Sequence, residues 1–324
     1  MENNRATILE PKLAIIDAHH HLIGSDSHSY TLEDYQKDCA GGHKIVGSVY
    51  IEVRQRYYNE GPSFLRPIGE TDFVAGLYDT IASGGQNLCQ GIIGYADLEL
   101  GQKIGDALDA HIEAGKGKFK GIRRGLYWSG DQAVYDHVSI RPRAELMLDP
   151  NFRSGFAQLQ PRGLTFDAVL FHPQLTELAN LAKSFPDTII VLNHVGFKLG
   201  VGTYLNDREQ VFKEWRNGLK LVSNCPNVMV KIGGLGMKIW GFGVENNKED
   251  YQKLAGAWRE VIETGIELFG IDRCLFESNY PVDGATTTFN SLWNALKFIT
   301  RNYSNDEKEK LYFGNTNRVY GLGL

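Results

Sequence analysis

The chain runs to 324 residues, 42% hydrophobic and 23% charged, the make-up of a globular protein with room for a large core, as one big domain or two ordinary ones. Its formal net charge is −5 at pH 7 with Lys and Arg scattered, so nothing favours nucleic acid or an anionic membrane surface as a partner. The four cysteines stand singly, residues 1–12 lack the apolar stretch of a signal peptide, and no apolar run approaches the roughly 20 residues of a membrane helix; the expectation is a cytoplasmic enzyme acting on a small molecule.

The first element is a strand that ends in chemistry: Ile15-Ile16-Asp17-Ala18-His19-His20-His21-Leu22. Side chains alternate along a strand, so Asp17, His19 and His21 are expected on one face and His20 on the other, towards a helix layer. Two imidazoles two residues apart can reach one metal ion. A surface histidine cluster or the remnant of an affinity tag is the alternative, but a tag would not follow an apolar strand start and an acid.

A short helix over residues 31–39 and a buried strand over 46–53 come next. Residues 57–67 read as loop, with Gly61-Pro62 and Pro67 as breakers. Phe73, Leu77, Tyr78 and Ile81 fall at helical spacing, and Gly84-Gly85 ends that helix. A third strand (91–97), a helix carrying Ile104, Leu108 and Ile112, and a fourth strand (119–125) follow. The connection over 126–161 is long enough to act as a lid or binding loop, with a short helix at 151–159.

The fifth strand (166–172) ends in His172 and leads to an amphipathic helix over 175–185; the sixth (188–194) ends in His194. A helix over 208–223 and a seventh strand (227–232) precede the glycine-rich segment 233–243. That segment lacks the strand–turn–helix context of a dinucleotide fingerprint and reads as a flexible lid or a wall. A helix over 251–269, an eighth strand over 273–279 and helical stretches at 289–301 and 306–312 complete the chain. Eight strands with mostly helical connections and no break in composition predict a single (β/α)8 TIM barrel over residues 13–324, behind an N-terminal extension of residues 1–12; a doubly wound open sheet is the alternative. Barrel active sites lie at the C-terminal strand ends. His19, His21, His172 and His194 all fall there, whereas His28, His43, His111 and His137 fall in loops or helices.

These segments resemble the amidohydrolase superfamily, in particular the amidohydrolase-related branch that includes lactonases and dicarboxylate-lactone hydrolases. The resemblance is carried by Ile16-Asp-Ala-His-His-His-Leu22, Gly91-Ile-Ile-Gly-Tyr-Ala-Asp-Leu98, Phe119-Lys-Gly-Ile-Arg123, Phe171-His-Pro-Gln-Leu175, Ile190-Val-Leu-Asn-His-Val-Gly196, Val230-Lys-Ile-Gly-Gly-Leu235, Phe276-Glu-Ser-Asn-Tyr-Pro-Val282 and Phe313-Gly-Asn-Thr-Asn-Arg-Val-Tyr320. It implies His19, His21 and His172 as ligands of a divalent metal such as Zn or Mn, although some relatives work without one. His194 becomes either a further ligand or a hydrogen-bond partner of the substrate carbonyl. On the eighth strand the family places an Asp that binds metal and serves as base; this chain has Asn279, and an amide is neither a base nor a good ligand.

Glu277, two residues earlier on the same face, is the candidate replacement carboxylate, or else the buried partner of an inward Arg or Lys; Asp283 and Glu52 are further candidates. Arg123 either clamps a substrate carboxylate or closes an ion pair at the mouth. Lys231 either neutralises an oxyanion or pairs with Glu277 or Glu52. Trp240 and Phe242 either cover an apolar substrate or pack, and Asp17 is expected to orient a histidine. The resulting expectation is a hydrolase that opens a lactone or related cyclic ester of a small carboxylate or sugar acid. A metal-dependent decarboxylase and a non-catalytic barrel that lost its eighth-strand Asp are the alternatives. The sequence leaves a homo-oligomer open.

Overall fold

The structure, a computed structural model, describes residues 7–25, 28–77, 87–138 and 140–324. Eight parallel strands follow one another around a barrel in sequence order: β1 (Ala14–His20), β2 (Lys44–Ile51), β3 (Asn87–Gly94), β4 (Phe119–Gly125), β5 (Thr165–Val169), β6 (Ile190–Leu192), β7 (Val228–Ile232) and β8 (Cys274–Phe276). The two ends meet just beyond β8. There His20 bridges to Tyr280, Asn279 N–H donates to His19 O at 2.8 Å, and His21 N–H donates to Tyr280 O at 2.7 Å. The TIM barrel expected from the strand pattern is therefore present.

The helices are α1 (Leu32–Cys39), α2 (Ile68–Gly76), α3 (Ile104–Ala114), α4 (Pro150–Phe156), α5 (Leu175–Ser184), α6 (Arg208–Ser223), α7 (Tyr251–Phe269), α8 (Phe289–Ile299), α9 (Asn305–Glu309) and α10 (Asn315–Tyr320). Their starts are written locally: Thr31 and Asp34 form a capping box on α1, and Asp250 accepts from the N–H groups of Gln252 and Lys253 on α7. The expected helix through Phe73 begins earlier, right after Pro67; Tyr78, Ile81, Gly84 and Gly85 lie outside the described residues. No helix among the described residues is long and apolar enough to cross a membrane.

Two apolar layers result. One lies between strands and helices; the other fills the barrel with Ala18, Val49, Ile51, Ile93, Val191, Met229 and Leu275. Val319 and Tyr320 of α10 join the inner layer, and Lys120, near the start of β4, donates to Gly321 O, so the C-terminal segment plugs the end of the barrel opposite the mouth. A plugged floor leaves one accessible end, the one carrying the strand-end histidines.

Candidate active site

On β1 the pairing with β2 slips by one residue between Asp17 and His20: Asp17 lies opposite Ser48, and His20 opposite Tyr50. Such a bulge reverses the alternation of faces. Asp17 therefore does not share the face of His19 and His21, as strict alternation predicts. It accepts instead from Tyr35 Oη of α1 (2.9 Å), from Ser278 N–H (2.8 Å) and from the backbone N–H of His19 (3.2 Å), and no imidazole of the mouth touches it. His20 faces the helix layer, stacked on Tyr35 at 3.9 Å and bonded to Ser48 Oγ. The bulge leaves His19 and His21 pointing into the mouth.

There the tautomers are set from outside. His21 Nδ1 lies 2.8 Å from Ile51 O; a carbonyl only accepts, so Nδ1 carries the proton and Nε2 the lone pair. His19 Nδ1 and His194 Nδ1 lie 2.9 and 2.7 Å from the two oxygens of Glu277, one on each. In its ionised form that carboxylate accepts the His194 N–H, which leaves His194 Nε2 as a lone pair; the His19 contact makes no hydrogen bond, and His19 Nε2 is marked as an acceptor by Arg123 Nη1, which can only donate. His19 Nε2 and His21 Nε2 face one another across 3.2 Å. Two lone pairs at that distance repel unless a cation lies against them, and Arg123 Nη1, 3.4 Å from His19 Nε2, covers only one side. Among the described residues His19, His194 and Glu277 also bring three ligand atoms within 4.8 Å of one another. The donor set fits a divalent metal, with Glu277 orienting His194 from behind as carboxylates do in metal sites.

Electrostatics agree with that reading. Burial, together with Lys231 and Arg123, pushes His19 and His194 well below the ordinary imidazole range, and burial with Arg123 does so for His21, so all three are neutral at pH 7. Burial pushes Glu277 up to about 8, with Lys231 and Arg123 among the groups opposing it. A divalent ion held at the Nε2 atoms would favour its ionised form.

His194 reaches its place by an irregular route. Strand β6 ends at Leu192, and His194 and Val195 take left-handed φ values of 52° and 49°. A β-branched residue in that region is strained, and here the turn brings the ring to 4.7 Å from that of His19. The glycine-rich segment forms a close wall. A Cβ on Gly233 would sit 2.2 Å from Glu277 Cγ, and one on Gly234, at φ 65°, 2.4 Å from His194 Nδ1. Trp240 packs within that wall, donating to Gly234 O and lying against Phe242 and Phe197; it is buried and backs Phe197, whose ring is 4.9 Å from His194.

His172 stands apart from this cluster. Its Nδ1 accepts from Leu199 N–H at 3.3 Å and its ring meets Tyr204 edge-on, so in the neutral form, favoured by a pKa pushed down to about 4 by burial, Nε2 carries a proton with no partner. That tautomer offers a donor where a ligand needs a lone pair. Arg123 is committed: Nε donates to Glu52 Oε1 at 2.9 Å and Nη2 to Glu52 O. Lys231 pairs with Asp167 at 2.7 Å rather than with Glu277 or Glu52, and both are fully buried. Alternate strands fill one layer of such a barrel: Asp167 and Lys231 sit on β5 and β7, whereas Glu52 precedes the loop after β2 and Glu277 follows β8. Tyr320 and Asn193 also donate to Asp167. Asp167 and Tyr320 were not legible as site residues, although Asp167 is a lone acid in an apolar strand.

Asn279 takes a left-handed φ of 52° and donates through Nδ2 to Asp283 Oδ1 at 2.7 Å; Asp283 Oδ2 accepts from Gly236 N–H at 2.8 Å. Burial pushes Asp283 up to about 8 against these two donors. A folded pKa above the unfolded value of about 3.9 means that the folded state holds the proton more tightly. The stability so gained is complete below about pH 4 and is lost as pH rises through about 8. Thermal unfolding of the metal-free protein is expected to show Tm falling between about pH 4 and 8, with that limb flatter in Asp283→Asn; equal slopes would remove Asp283 as a source.

Fold and site together define a barrel enzyme whose chemistry is built from histidines and one carboxylate at the strand ends. The chain belongs to the amidohydrolase family, whose sequence profile matches residues 16–322. An uncharacterised protein of Sinorhizobium fredii, y4mH, is 32% identical over 322 residues, covering 95% of this chain and 98% of its own. An L-fucono-1,5-lactonase of Burkholderia multivorans is 23% identical over 234 residues, 71% of each chain. Among solved structures, a B. multivorans amidohydrolase with bound HEPES superposes with a TM-score of 0.71 at 18% identity, covering 95% of this chain and 99% of its own; a second crystal form of a B. multivorans amidohydrolase holds zinc (TM-score 0.69, 18% identity, same coverage). A dihydroxybenzoic acid decarboxylase of Polaromonas, with bound manganese, shares the fold at a TM-score of 0.56 and 12% identity, covering 96% of this chain and 97% of its own.

Proposed function

We propose that this chain is a hydrolase that opens a lactone or related cyclic ester of a small carboxylate or sugar acid at the His19–His21–His194 mouth. The observation that carries the reading is the pair of Nε2 atoms 3.2 Å apart, each marked as a lone pair by another contact: Ile51 O on His21 Nδ1 and the donor Arg123 Nη1 on His19 Nε2. The similarity to a named lactonase favours the cyclic ester. A divalent ion held by His19 and His21 would supply Lewis acidity toward a carbonyl oxygen and make water more acidic, while the Nε2 of His194 stays free. The residues do the rest. His194, oriented by Glu277 through Nδ1, accepts the proton of the attacking water at Nε2, and Glu277 stabilises the imidazolium that forms. His172 donates its free Nε2–H to the substrate, and Arg123, held by Glu52, keeps positive charge beside the developing oxyanion.

The histidine–glutamate pair thereby takes the place of the family's eighth-strand Asp. Asn279→Asp sets a second carboxylate about 2.7 Å from Asp283 Oδ1, so the variant is expected to lose stability and activity. Higher activity in that variant would mark the chain as a decayed enzyme instead. The proposal itself is tested with a lactone panel read by acid release, run beside aromatic and enoic carboxylates read by CO2 release. Lactone opening is the expected result; CO2 release without it identifies the decarboxylase, and neither identifies a non-catalytic barrel.

A further inference from the structure

With the fork of Arg123 bound to Glu52, another group has to meet a negatively charged substrate, and the loop after β2 carries one. Arg54 is exposed and adopts a left-handed φ of 60°, a conformation that non-glycine residues rarely hold without cause. Its guanidinium lies over the ring of Tyr95 at 4.4 Å, and no carboxylate among the described residues pairs with it. The neighbouring Arg124, which shares the same ring at 5.5 Å, is by contrast neutralised by Glu99 and Asp97. Stacking fixes the plane of the Arg54 fork and leaves its N–H edges free, the presentation that a planar carboxylate meets with two hydrogen bonds.

The surroundings place this group at the mouth. Tyr95 follows β3 and Tyr127 follows β4, so Arg54 and the two tyrosines come from three successive loops at the C-terminal end of the barrel. Burial raises the phenols of Tyr57, Tyr95 and Tyr127, and in each the charge of Arg54 opposes it, which locates the guanidinium among all three. The hydroxyl of Tyr57 is buried with no hydrogen-bond partner. A cation without a counter-ion and a phenol without an acceptor therefore sit side by side, next to the Arg123–Glu52 pair that borders His19.

We propose that Arg54, with Tyr57, binds the carboxylate of the substrate and makes the mouth selective for anionic ring compounds. The inference deepens the hydrolase reading and rests on that mouth being the substrate site, but it is tested by binding alone. Calorimetric titration of the full-length protein with 2-furoate, benzoate and 2-pyrone carboxylates, each beside its neutral carboxamide, measures the preference for the charged form. The wild type is expected to bind at least one carboxylate tenfold or more tighter than its carboxamide. That preference should fall about tenfold in Arg54→Gln, be largely kept in Arg54→Lys, and leave carboxamide binding unchanged. A wild type with no preference, or an Arg54→Gln variant that keeps it, overturns the assignment. Failure of the lactone assay with the preference intact would count against the hydrolase reading alone.

Discussion

Replacing Glu277 by glutamine is expected to weaken metal binding 10- to 100-fold and to lower kcat by a similar or larger factor, with little change in fold. Glu277 Oε1 receives the Nδ1–H of His194 at 2.7 Å, and Oε2 lies 2.9 Å from His19 Nδ1 without a hydrogen bond. An amide accepts at one end only. Its NH2 group would face the other Nδ1 and force that imidazole into the opposite tautomer, moving the proton onto Nε2 and removing a lone pair from the mouth. The variant should also lose about 1–3 kcal/mol of stability, because a buried donor is left facing a donor. The assay is metal titration and turnover on wild type and Glu277→Gln side by side. Values within threefold of wild type would mean that the carboxylate does not set the tautomers.

The second large effect lies beneath the mouth and is one of stability. Lys231→Met leaves Asp167 ionised in the barrel with only Tyr320 and Asn193 to meet it. Removing one partner of a buried ion pair costs about 3–5 kcal/mol, which at this chain length corresponds to a Tm lower by several degrees. The double variant Lys231→Met/Asp167→Asn removes the charge as well as its partner and should recover much of the loss. Activity of the single variant should suffer indirectly, since Lys231 helps to keep His19 and His194 neutral. A single variant as stable as wild type would show that Asp167 is held by its other donors alone.

The barrel was legible because its signal is local: apolar runs between breakers mark strands, and β4 falls at residues 119–125 as the pattern predicts. The strand-end histidines were legible for the same reason. What the sequence withholds is geometry that depends on partners. Nothing within Ile15–Leu22 announces the slip that turns Asp17 away from His19, because a bulge is defined by the neighbouring strand. The left-handed turn at His194 and Val195 runs against β-branched preference and is imposed by tertiary packing. The tautomers follow from Glu277 and Ile51 O, which lie 83 and 30 residues away from the imidazoles they fix. Lys231 and Asp167 did leave a trace, each being the one charge in a short apolar strand; the layer rule for alternate strands would have paired them.

The account turns on the claim that His19 and His21 present lone pairs to a cation while Glu277 holds His194, the base, from behind. Calorimetric titration of Zn2+ and Mn2+ into metal-free protein tests it most directly, with His19→Ala as the comparison. The predicted result is one divalent ion per chain on the wild type and loss of that binding in His19→Ala. A wild type that binds neither ion, or a His19→Ala variant that binds as wild type does, would contradict it.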